Sequence, residues 1–126
     1  MSSNEFFNRF PKLESHLLSI VESSAANESR DVNPCLLPAL LIIQRLIPTG
    51  TSRNENRFLT ALFELVQNHV WKCRVSSARS FYALNSDPNM VYKVFEKLKS
   101  AKTSNSVHGL LLILDEFSKS QLGFRN

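Results

Sequence analysis

Asn33-Pro34-Cys35-Leu36-Leu37-Pro38-Ala39-Leu40-Leu41-Ile42-Ile43-Gln44-Arg45-Leu46-Ile47-Pro48 decides the fold class. Between Pro34 and Pro48 only Pro38, Gln44 and Arg45 break the run of apolar side chains. The stretch predicts a helix that Asn33-Pro34 starts and Pro48-Thr49-Gly50 stops. It is apolar on nearly every side, and such a helix is ordinarily buried between neighbours. Pro38 belongs in its first turn, because an interior proline loses a hydrogen bond and clashes with the preceding turn. The longest apolar stretch, Cys35 to Ile43 with Pro38 inside it, is about half of the roughly 20 residues that a membrane span needs. No membrane insertion is expected.

Apolar periodicity extends outward from this helix in both directions. Upstream, Leu13, Leu17, Ile20 and Val21 recur at helical spacing behind Pro11, whose fixed φ suits a first helical position, so a helix is predicted over 11–24. The Ser23-Ser24-Ala25-Ala26-Asn27-Glu28-Ser29 tract reads as a loop. Downstream, Phe58, Leu62, Phe63, Leu65 and Val66 mark a helix over 54–68. A helix over 72–85 is rich in small residues, Cys73, Ser76, Ser77, Ala78, Ser80 and Ala83, which let a neighbouring helix approach closely. Asp87-Pro88 opens a fifth helix with Val91, Val94, Phe95, Leu98 and Ala101 inward. A cap at Ser104 or Asn105 opens a sixth, with Val107, Leu110, Leu111, Leu114 and Phe117 inward. Gly109 weakens that sixth helix, at about 1 kcal/mol relative to Ala.

No run alternates with period two between hairpin turns, so the chain reads as all-α. About six helices joined by short polar links form either a bundle or a stack of helical hairpins. The wholly apolar helix and the small-residue helix both favour the stack.

The length of 126 residues suits a single domain, 1–126. Apolar residues at 43% and charged residues at 21% exclude a disordered or collagenous chain. Three glycines form neither a dinucleotide fingerprint nor a phosphate loop, so no cofactor is expected. Cys35 and Cys73 lack zinc or disulfide spacing, which fits a reducing compartment, the cytoplasm. Met1-Ser2-Ser3-Asn4-Glu5 lacks the basic and apolar regions of a signal peptide.

The net charge of +4 is unevenly placed: residues 67–102 carry seven basic side chains against two acidic ones, and the rest of the chain is near balance. Such a segment attracts phosphate or an acidic partner through its long-range field, or is the solvated side of a helix. His16, His69 and His108 lie in different predicted helices with no ligand spacing, and His69 reads as a helix C-terminal cap. Asp115 and Glu116 point about 100° apart and are not a facing acid–base pair. No serine stands in a nucleophile elbow. These residues point to binding, not bond-making.

Four runs carry a resemblance. They are Phe6-Phe7-Asn8-Arg9-Phe10-Pro11, the Asn33-to-Leu46 stretch, Cys73-Arg74-Val75-Ser76-Ser77-Ala78-Arg79-Ser80, and Asn105-Ser106-Val107-His108-Gly109-Leu110-Leu111-Leu112. In this order the chain resembles the C-terminal part of the THADA family, and Asn-x-x-His-Gly-x-Leu-Leu is its sharpest element. The resemblance implies a HEAT/armadillo-like α-solenoid fragment and a non-catalytic subunit of a tRNA 2′-O-ribose methyltransferase. It further implies that an FtsJ-like partner holds S-adenosylmethionine and that the substrate ribose lies in the tRNA anticodon loop. The Arg-Arg-Ser-Ala-Gly stretch associated with the family's function is absent, and family proteins are many times longer, which implies a fragment or a reduced relative.

The candidate RNA or partner contacts are Lys72, Arg74, Arg79, Lys93, Lys97, Lys99, Asn105 and His108. Arg74 and Arg79 are about 140° apart around one helix and cannot face one ligand together. Arg74 is expected to meet an acidic residue of a neighbouring repeat. Asn105 and His108 are expected to cap the last helix and hold its loop. The alternative is a protein–protein interaction module with no RNA role.

Overall fold

The computed structural model describes residues 1–27, 32–48 and 54–121. Among them the chain forms α1 (Ser3–Arg9), α2 (Pro11–Ala26), α3 (Leu36–Ile43), α4 (Glu55–Leu65), α5 (Trp71–Leu84), α6 (Met90–Lys99) and α7 (Ser104–Gln121). Helices two apart in sequence pack side by side, α2 on α4 and α3 on α5 and α5 on α7. Consecutive helices pair across, α2 with α3, α4 with α5, and α6 with α7. The result is an α-solenoid: three helical hairpins stacked in two layers, with α2 and α4 in one and α3, α5 and α7 in the other, and α6 packed on α7 and meeting α4 where Lys97 stands over Phe63.

The core runs between the layers and includes Leu17, Val21, Leu40, Ile43, Phe58, Leu62, Phe81, Leu110 and Ile113, all shielded from solvent. Small residues of α5 let its neighbours close in. Ser80 is buried and its hydroxyl donates to the Leu40 carbonyl of α3 at 3.1 Å. Phe63 meets Phe81 edge-on at 4.8 Å between ring centres, which ties α4 to α5.

Several expectations need correction. Ser3–Arg9 is a helix that periodicity passed over, capped where the Ser2 hydroxyl accepts from the Glu5 amide at 3.1 Å. It is held because Phe7 is buried and stacks on Phe58 of α4, 5.5 Å between centres. The α2 helix runs through Ala26, so Ser23 to Ala26 are helical, and the rest of that predicted loop, like the predicted stop at Thr49-Gly50, reaches outside the described residues. The apolar helix α3 is not surrounded: Leu36, Ala39, Leu40 and Ile43 are buried, but Leu41 and Ile42 are 45% and 41% exposed. It has α2 and α5 as packed neighbours, and its remaining face has none among the described residues.

Phe95, Val107 and Leu111 are exposed instead of inward, on the last hairpin of the stack. Asp87 does not cap α6 directly. Its carboxylate accepts from the Asn89 amide at 3.0 Å in a turn, and the helix begins at Met90. Thr103 caps α7, accepting from the Ser106 amide at 3.1 Å, in place of Ser104 or Asn105.

Candidate nucleic-acid interface

Antiparallel hairpins bring the end of each first helix and the start of each second helix to one edge of a stack. Here the α4–α5 link and the α6–α7 link share that edge, and the segment richest in basic residues passes through it twice. The α4 helix unwinds through Gln67 and Asn68, and the Asn68 side chain then accepts from the Val70 amide at 2.8 Å, which turns the chain into α5.

Arg74, one turn into α5, folds back onto this link and is only 9% exposed. One terminal nitrogen donates to the Asn68 carbonyl at 2.9 Å and the His69 carbonyl at 3.1 Å, and Nε donates to Nδ1 of His108 at 3.0 Å. The expected acidic partner from a neighbouring repeat is therefore replaced. Main-chain carbonyls just past α4, unpaired by the helix and at the negative end of its dipole, take the guanidinium. His108 accepts through Nδ1, so the neutral ring carries its proton on Nε2. His69 contributes its carbonyl, while its side chain is exposed.

Gly109 completes the lock. A Cβ built there would lie 1.6 Å from the Val66 carbonyl oxygen, so only glycine lets α7 approach the end of α4. The His-Gly pair in the sequence thus has a local reason: the histidine binds Arg74 and the glycine removes the clash. Asn105 sits half-buried in the first turn of α7, beside the Thr103 cap.

The lysines divide. Lys72 lies in the first turn of α5, and Lys97 and Lys99 in the last turn of α6, all exposed at the shared edge. The Lys97 ammonium stands over the Phe63 ring at 4.6 Å, a cation–π contact, and Lys99 pairs with Glu96 at 3.0 Å in solvent. Arg79 and Lys93 do not join them. Arg79 lies farther along α5 and faces buried Glu116 at 3.7 Å. Lys93 lies toward the opposite edge, where its charge acts on Glu55.

At that opposite edge the Glu55 carboxyl is pushed above the usual carboxylate range by burial, partly offset by a hydrogen bond from Asn85. Sequence reasoning left out two residues at the basic edge. Lys102 is exposed in the α6–α7 link, and Trp71, the chain's one tryptophan, is 60% exposed at the first position of α5. The signal for Trp71 was its place beside Lys72, just ahead of the predicted start of the helix.

Other chemistry finds little support among the described residues. No three His, Cys, Asp or Glu side chains gather where they could hold a metal ion. Cys73 is buried, and burial pushes its thiol up and away from reactivity. The open groove between α2 and α4, about 410 Å³, holds Glu22 and Arg57, which pair with each other, with Arg57 Nε donating at 3.1 Å. Among the described residues no helix is long and apolar enough to cross a membrane.

Comparison with known proteins agrees with this architecture. The family described as "Trm732, C-terminal TPR repeats" matches residues 1–117. The tRNA (32-2′-O)-methyltransferase regulator THADA of Chlorocebus aethiops is 27% identical over 142 residues, covering 96% of this chain, and its Homo sapiens counterpart is 26% identical over 144 residues, covering 98%. The tRNA (32-2′-O)-methyltransferase regulator trm732 of Schizosaccharomyces pombe is 28% identical over 124 residues, covering 90%. The chain spans 7–8% of the length of these relatives. No solved structure matches. With the match running from α1 into α7, the chain belongs to the family of Trm732 C-terminal TPR repeats.

Proposed function

We propose that residues 1–126 act as one helical-repeat unit of a non-catalytic scaffold that supports 2′-O-ribose methylation in the anticodon loop of tRNA. An FtsJ-like methyltransferase in the cytoplasm supplies S-adenosylmethionine and makes the bond, and this chain holds RNA beside it. The relatives' names as regulators of tRNA (32-2′-O)-methyltransferase support the assignment. The observation that carries the RNA role is the basic edge: Lys72, Lys97, Lys99 and Lys102 project there, while Arg74, the buried cation beneath them, is fully engaged by carbonyls and His108. Exposed lysines that follow one edge suit the backbone of a nucleic acid, which binds through charge and releases counterions.

The test is tRNA binding by the chain as a function of salt. Binding is expected to weaken as salt rises, and Lys72→Glu, Lys99→Glu and Lys102→Glu together should reduce affinity about tenfold or more and flatten the salt slope. Lys93→Glu, at the opposite edge, should change it little. Unchanged binding in the triple variant, with its fold intact by circular dichroism, overturns the RNA role. A methyltransferase recovered with the chain after nuclease treatment, in the absence of any tRNA binding, leaves the protein-only module as the correct reading.

A further inference from the structure

Resting on that RNA-binding reading, we propose that Trp71 is a stacking platform for one unpaired nucleobase, with Lys72 beside it on the adjoining phosphate. Large aromatic side chains are ordinarily spent on the core, as Phe58, Phe63, Phe81, Tyr82 and Phe117 are here, while Phe10, Tyr92 and Phe95 are exposed elsewhere, so it is the place of Trp71 beside the lysines that sets it apart. Trp71 is 60% exposed at the edge where Lys72, Lys99 and Lys102 lie, in the first turn of the helix whose Arg74 locks two hairpins together. The indole is thus presented from a rigid element, not from a loose link.

Trp71 forms one wall of a cleft of about 180 Å³ between α5 and α7, lined also by Val75, Ala78 and Leu112. The charges at that cleft are matched among themselves: Arg79 faces Glu116 at 3.7 Å, and Lys119 pairs with Asp115 at 3.1 Å. The cleft therefore offers an apolar wall and a π face, and the positive charge comes from the edge above it. A protein side chain that entered the cleft would use the wall and leave the lysines idle. A nucleotide uses both, because its base is a flat π surface and its phosphate is an anion on the same residue. Paired bases are already stacked on their neighbours, so the site favours single strands and loops.

Because the chain has one tryptophan, its own fluorescence reads the contact. Titration of the full chain with a tRNA anticodon stem-loop and with a short single-stranded RNA should quench the emission, while a blunt RNA duplex should not. Trp71→Ala should weaken loop binding about 5- to 150-fold, the usual worth of one stacked base, and Trp71→Phe should keep most of the affinity. Circular dichroism of each variant confirms the fold, since an exposed first-turn residue contributes little to it. Lysine-dependent RNA binding without quenching, and with Trp71→Ala equal to the parent, overturns the platform and leaves the basic edge standing. Equal quenching by the duplex, or quenching by the methyltransferase alone without RNA, overturns it too. Absence of any RNA binding removes both readings at once.

Discussion

The two edges of the hairpin stack bury charge in opposite ways. At the α4–α5 and α6–α7 edge the buried group is a cation, Arg74, held by two carbonyls and a neutral imidazole. At the other edge the buried groups are carboxylates at the starts of first-layer helices. Glu14 accepts from the Asn54 amide group at 2.9 Å, and Glu55 accepts from Asn85. The positive dipole ends of α2 and α4 favour those acids, as the negative end of α4 favours Arg74. The difference has a consequence for the exposed charges. Where a carboxylate is buried, the charge of exposed Lys93 acts on it, as the smallest of the influences on Glu55. Where a guanidinium is satisfied by carbonyls, the lysines around it face solvent, and this is the edge suited to an anionic partner.

The sharpest way to break the contrast is to break the lock. Gly109→Ala should cost about 3 kcal/mol or more in urea unfolding, because the Val66 carbonyl cannot yield to a Cβ placed 1.6 Å away without moving the end of α4. A cost below about 1 kcal/mol, the usual glycine-to-alanine scale with its sign reversed, would show that α7 slides freely over α4. Next in size, Arg74→Met should cost about 2–3 kcal/mol by leaving two carbonyls and His108 unpaired. His108→Ala should cost about 1–2 kcal/mol, since it strands one guanidinium N–H. The double variant should cost less than the two singles added, with a coupling of about 1 kcal/mol. Strict additivity would show that the two residues do not act as one clamp.

Much of the fold was legible because core packing leaves a periodic trace. Phe58, Leu62, Leu65 and Val66 announced α4, and Pro11 announced the start of α2 at its first position. The short α1 was missed although Ser2 and Glu5 stand at capping distance, since seven residues show little periodicity and Phe7 finds its reason only in Phe58. Periodicity also misplaced Leu41, Phe95, Val107 and Leu111. It marks a face as apolar, but whether a neighbour exists to cover that face is a property of the stack. The basic segment was visible in the sequence, yet its division was not. Lys93 and Lys97 are four residues apart on one helix, and only the direction of the hairpin sends the first toward Glu55 and the second to the basic edge. Arg74 was hardest to read, because carbonyls leave no mark in a sequence as acidic residues do.

The smallest effect tests the carboxylate edge. Burial raises the Glu55 carboxyl above the value it has in the unfolded chain, so the native state holds its proton more tightly than the unfolded state does. Between the unfolded value and the higher native one, the native state binds more protons, and stability falls as pH rises through that window. At neutral pH the whole penalty of burying the charge is present, partly offset by Asn85. Glu55→Gln keeps an acceptor for Asn85 and removes the charge. It should raise stability at neutral pH by less than about 1 kcal/mol and flatten the pH dependence just above the ordinary carboxylate range. The same substitution removes the acid on which the Lys93 charge acts. If Lys93 then gains salt-sensitive tRNA binding that the parent lacks, the two edges differ only in how their buried charges are balanced. If it does not, the geometry of the α4–α5 and α6–α7 edge is what makes the basic face, and charge release alone cannot create a second one.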